Sequence, residues 1–72
     1  MDFKELVGQR ITTLRNDRNL SQQKFAYEAD IERSYLTHIE KGRKNISLTT
    51  LEKVTKALGV TVNNFFDSNE FK

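Results

Sequence analysis

A chain of 72 residues makes one small domain. A domain of that size buries only about 60% of its unfolded surface, which leaves little room for an enclosed catalytic pocket. The absence of cysteine excludes disulfides and thiolate metal sites and agrees with a reducing compartment. Twelve Lys and Arg against ten Asp and Glu leave +2, too small a charge to mark a nucleic-acid binder unaided.

The first ten residues, MDFKELVGQR, carry charges throughout and contain no apolar run, so they are not a secretion signal. No stretch approaches the roughly 18 apolar residues of a membrane helix. These features predict a soluble cytoplasmic protein. The 3.6-residue period recurs along the chain while two-residue alternation is absent, and there is no proline. The fold class is therefore all-α.

The first helix is expected from Asp2 to Arg18, with Phe3, Leu6, Val7, Ile11 and Leu14 as its apolar stripe. Asn19-Leu20 breaks it. Ser21 suits the N-cap of a short second helix through Ala29, whose core side is Phe25, Ala26 and Ala29. Asp30-Ile31 turns the chain into a third helix, Glu32 to Lys41, stopped by Gly42. After the loop from Arg43 to Ile46, Ser47 caps a fourth helix with stripe Leu48, Leu51, Val54, Ala57 and Leu58, closed by Gly59. Thr61 caps a short fifth helix through Phe66. Residues 1–66 form the domain, and the tail 67–72, DSNEFK, is expected to fray.

The second and third helices have the dimensions of a helix-turn-helix, but so do many pairs in small bundles. The faces decide. Leu36 and Ile39 lie about 60° apart on the third helix and define its buried side. Ser34, Thr37, His38 and Lys41 fall on the opposite arc, and Arg33 projects from the first turn. All five donate hydrogen bonds. Arg bonds guanine O6 and N7 bidentately, while Ser and Thr bond several base edges. Tyr35 lies at the flank, with its hydroxyl in reach of a phosphate. GRKN follows at once, so Arg33, Lys41, Arg43 and Lys44 face a single anion, Glu40, within that stretch. Such a cluster can meet phosphates although the whole chain is nearly neutral.

From Leu20 to Phe66 the sequence LSQQKFAYEADIERSYLTHIEKGRKNISLTTLEKVTKALGVTVNNFF resembles the helix-turn-helix domain of the phage-repressor (Cro/C1, also called XRE) family. The specific parts are SQQKFA, RSYLTHIEKG and SLTTLEKVTKALGV. RSYLTHIEKGRKNIS is also similar to the controller proteins of restriction–modification systems. The resemblance implies a five-helix bundle that regulates transcription as a homodimer on a pseudo-palindromic operator of double-stranded DNA. By position it implies base-edge contacts from Arg33, Ser34 and His38 with Thr37 nearby. It implies a phosphate contact from Gln22 supported by Gln23, and further backbone contacts from Tyr35, Lys41, Arg43, Lys44 and Asn45. A helix N-terminus offers unpaired N–H groups to an anion, so the place of Gln22 makes physical sense.

Two positions depart from the family pattern. Asp30 stands where glycine is common in the turn, and Glu32 where Ser or Thr often caps the recognition helix. Glutamate suits the helix dipole but repels phosphate. Arg10 lies on the first helix between Val7 and Leu14, where an unpaired charge is expensive. The matching family positions form a buried ion pair, which implies that Arg10 pairs with Glu40 as structure.

No cofactor, metal site or small-molecule effector is expected. His38 is the only histidine, no second catalytic group accompanies it, and Gly42-Arg43-Lys44 lacks the spacing of a phosphate-binding loop. The chain is not expected to be an enzyme. Phe65, Phe66 and Phe71 exceed what one short helix needs for its core. One of Phe65 and Phe66 is expected to plug the bundle, and the other, with Val62, to form the dimer interface. The rival on the same fold is a protein-interaction module, antitoxin-like or bridging. Its mark would be an apolar outer face on the third helix, and that face is polar.

Overall fold

Local capping divides the chain. In the computed structural model, which describes residues 1–72, Asp2 and Glu5 form a reciprocal capping box at the start of α1, Phe3–Asp17. Ser21 accepts from the Lys24 amide to open α2, Gln22–Ala29, and Ser47 does the same through Thr50 for α4, Leu48–Leu58. Thr61 opens α5, Val62–Phe66, through Asn64. Only α3, Arg33–Glu40, begins without a side-chain cap, because Glu32 makes no such bond. No strand occurs, and no helix is long and apolar enough to cross a membrane.

The three residues between α2 and α3 turn the chain sharply because Asp30 takes the left-handed conformation, φ 59°. Asp30 thus does in the turn what glycine does elsewhere, and Lys53 of α4 donates to its carbonyl at 3.2 Å.

The core is one cluster drawn from all five helices. Phe25, Phe65, Ile11, Leu36, Ile39 and Val54 are fully buried in it. Burying each such side chain contributes about 1.5–3 kcal/mol before ordering costs. α1 crosses close to α3 at Gly8, where a β-carbon would stand 2.2 Å from the Ile39 carbonyl oxygen. Any side chain there would push the two helices apart.

The apolar stripes are less complete than their period suggests. Phe3 is 61% exposed and Leu48 is 85% exposed, each in the first turn of its helix, where it overhangs the core. The tail differs more. Instead of fraying, it closes in a single 3₁₀ turn, Asn69–Phe71, that lays Phe71 against Phe3, Phe65 and Phe66. Ring centroids lie 5.0 Å apart for Phe66–Phe71 and 4.9 Å for Phe65–Phe66, both edge-on.

Candidate nucleic-acid interface

α3 is held from beneath by Leu36 and Ile39, both buried, while Arg33 and Ser34 are exposed and Thr37 and His38 are partly so. Beyond the helix, the amide of Arg43 donates to the His38 carbonyl at 2.9 Å, and Gly42 takes φ 74° against Glu5. This reversal keeps the basic loop beside the outer face of α3. Lys41, Arg43, Lys44 and Asn45 are all exposed there. Tyr35 is half-buried and its hydroxyl donates to the Asn45 carbonyl at 3.4 Å, so reaching a phosphate means exchanging that bond.

Of the residues expected at the start of α2, Gln23 is exposed, whereas Gln22 is half-buried and engaged inside the protein. Its amide nitrogen donates to Glu40 Oε1 at 3.0 Å, and its Oε1 accepts from the Thr37 hydroxyl at 3.0 Å. These bonds bring Gln22 and Thr37 together at the junction of α2 and α3.

The expected ion pair has a different cation. Arg15, not Arg10, meets Glu40: Nε donates to Oε2 at 2.8 Å and Nη2 to Oε1 at 2.9 Å, with both side chains buried. The third Arg15 nitrogen, Nη1, donates to the Leu20 carbonyl at 2.7 Å, so one guanidinium ties α1, the turn after it and α3. Burial pushes the Glu40 carboxyl up, but hydrogen bonds from Arg15 and Gln22, with the Arg15 charge, together outweigh it and hold the group below its ordinary range. Arg10 instead donates to the carbonyls of Phe65 at 2.7 Å and Asn64 at 3.0 Å, at the C-terminal end of α5. It remains a structural residue, with a helix end for a partner. Arg15 carried a signal in the sequence: Val7, Ile11 and Arg15 follow at four-residue steps, the row that faces α3.

A second surface begins at the basic loop, whose Lys44 and Asn45 reach its edge. An apolar groove of about 440 Å³ runs between α1, α4 and α5, lined by Phe3, Ile46, Leu48, Leu51, Val62 and Phe66 and edged by Lys4 and Lys44. Of the two phenylalanines left open between core and interface, Phe65 is 0% exposed and is the one that plugs the core, so it leaves the set expected at the dimer interface. Val62, 52% exposed, and the outer edge of Phe66 do face the groove. Phe3, Ile46, Leu48 and Leu51 add to the lining, unforeseen because they come from three other segments.

Residues 11–65 match the helix-turn-helix family. The control protein C.BamHI of Bacillus amyloliquefaciens is 43% identical over 63 residues, which cover 86% of this chain and 78% of that protein. The restriction–modification controller protein C.AhdI of Aeromonas hydrophila superposes with a TM-score of 0.84 at 33% identity, covering 88% of this chain and 96% of that one. C.Esp1396I, a controller protein seen as a tetramer on its natural 35 base-pair operator, superposes with a TM-score of 0.86 at 28% identity, over 93% of this chain and 90% of that one. With its five helices, its uncapped polar α3 and these similarities, the chain belongs to the Cro/C1-type helix-turn-helix family, alongside the restriction–modification controllers.

Proposed function

We propose that the protein is a sequence-specific regulator of transcription that binds an operator as a homodimer, in the manner of a restriction–modification controller. The observation that carries this reading is the outer face of α3. A helix of eight residues buries its apolar side completely and offers Arg33, Ser34, Thr37 and His38 outward, with a basic loop beside them. α3 enters the major groove, and these four side chains read base edges. Gln23, Lys41, Arg43, Lys44 and Asn45, with the free N–H of Gln22 and the Tyr35 hydroxyl, hold phosphates. Those contacts supply most of the affinity and make it fall with salt.

One such helix reads too few base pairs to define a site, and the apolar groove supplies the second copy. A two-fold axis beside it lets Leu48 and Val62 of each protomer enter the other's groove. Two α3 helices then lie about 34 Å apart, in successive major grooves.

Selection of random duplexes by the purified protein at about 150 mM salt tests the reading. The expected result is an inverted repeat with half-sites about one helical turn apart. Weak, salt-sensitive binding to every sequence would overturn it.

A further inference from the structure

The hydrogen bonds around Gln22 have a direction, and it extends to the reading face. Glu40 can only accept when ionised, and its Oε1 already receives Arg15 Nη2. The group facing it from Gln22 must therefore be the amide nitrogen, 3.0 Å away. That orientation turns the Gln22 carbonyl oxygen to Thr37, and a carbonyl oxygen only accepts. The single hydroxyl proton of Thr37 is thus committed inward, across 3.0 Å. What Thr37 offers outward is its oxygen lone pairs and its methyl group. An isolated threonine on a helix surface rotates its hydroxyl to suit either a donor or an acceptor. This one is fixed by a buried charge two bonds away.

We propose that the relay Arg15–Glu40–Gln22 makes Thr37 an obligate hydrogen-bond acceptor toward DNA, so that in each half-site it selects a base edge bearing an exocyclic amino group, adenine N6 or cytosine N4. Guanine O6 and thymine O4, both acceptors in the major groove, face oxygen lone pairs and are disfavoured. Gln22 is then a positioning residue for specificity, besides lending its second N–H to a phosphate. The inference rests on the reading of α3 as the helix in the major groove.

The relay also explains why a charged pair should lie beneath a reading helix at all. An apolar core would hold α3 in place equally well, and replacing a buried ion pair by packed apolar residues is often neutral or stabilising. Only an acceptor of fixed sign orients the Gln22 amide.

The test compares motifs selected from random duplexes by the wild type, Gln22→Met and Thr37→Val. Gln22→Met keeps the side chain's length but removes the acceptor, and Gln22→Leu serves the same purpose should the methionine variant not fold. Thr37→Val marks the motif column that Thr37 reads. In the wild type that column should favour adenine or cytosine on the facing strand about tenfold, the weight of one good hydrogen bond. In Gln22→Met the preference at that column should fall below about threefold, with guanine and thymine admitted and the other columns unchanged. A wild type that selects no motif would overturn the operator reading itself. A wild-type motif retained column by column in Gln22→Met, with only the affinity lowered, would leave that reading standing and overturn the relay. So would a change confined to columns that Thr37→Val does not move.

Discussion

At the junction of α2 and α3, Arg15, Glu40, Gln22 and Thr37 are joined in that order by hydrogen bonds, each with a named donor and acceptor. At the far end of the bundle, Phe3, Phe65, Phe66 and Phe71 meet through ring contacts between 4.9 and 6.5 Å, and the only side-chain donor to their backbone is Arg10, on the Phe65 carbonyl. The first arrangement is directional. Each bond has a donor and an acceptor, so a displacement of one side chain strands another. The second holds by area, which can be shared between the monomer and a second copy. A surface that must tell one base from another needs the former, and a surface that must associate tolerates the latter.

The largest effect should come from removing the charge at the directional end. Glu40→Ala leaves the Arg15 guanidinium buried without its partner and should cost about 3–5 kcal/mol in urea denaturation. A loss under about 1 kcal/mol would erase the contrast between the two ends. The same group governs acid sensitivity. Its carboxyl is held below the ordinary value of 4.5, so it contributes fully above that pH, and its contribution is lost as pH falls through the lowered value. Melting temperatures taken from pH 6 downward should show a steeper decline in the wild type than in Glu40→Gln, which keeps only the acid sensitivity of the other carboxylates.

Arg33→Ala should act on discrimination rather than stability, relaxing one operator position by about 1–3 kcal/mol. Competition between operator and random duplexes measures it, and equal weakening on both would remove Arg33 from the reading face. Leu48→Glu tests the other end. Since Leu48 is largely solvent-exposed, the variant should melt close to the wild type, yet self-association should weaken at least about tenfold, or 1.4 kcal/mol. Sedimentation at several concentrations would show this, and an unchanged dimer would locate the interface elsewhere. The smallest effect is a gain. Asp30→Gly relieves a left-handed residue and should stabilise by up to about 1 kcal/mol, with operator preference unchanged.

The helix boundaries were legible because their causes are local. Ser21, Ser47 and Thr61 cap within three residues of themselves, and Gly42 and Gly59 close helices with positive φ. The outer face of α3 was equally legible, since Leu36 and Ile39 set its rotation. Choosing between Arg10 and Arg15 required more. Both flank the apolar stripe of α1, about 140° apart, and which one meets Glu40 depends on where α3 crosses. Phe71 stands alone in a polar tail with no period to announce it, and only the space left beside Phe3 and Phe66 explains its place. Leu48 belongs to its stripe by spacing, yet the first turn of α4 carries it past the core. Gln22 could be placed at the start of α2, but its bonds to Thr37 and Glu40 join residues up to 18 apart and exist only once the helices pack.

The close crossing at Gly8 has a consequence for how such a protein can change. Because the backbone of α1 rests on the Ile39 and Glu40 carbonyls with no side chain between them, the height of α3 is set by main chain on main chain. Core residues around it can drift in size and alter stability while the reading helix keeps its level. Evolution and laboratory libraries alike can therefore retune the robustness of this fold and its choice of operator as nearly separate traits, so long as position 8 stays bare.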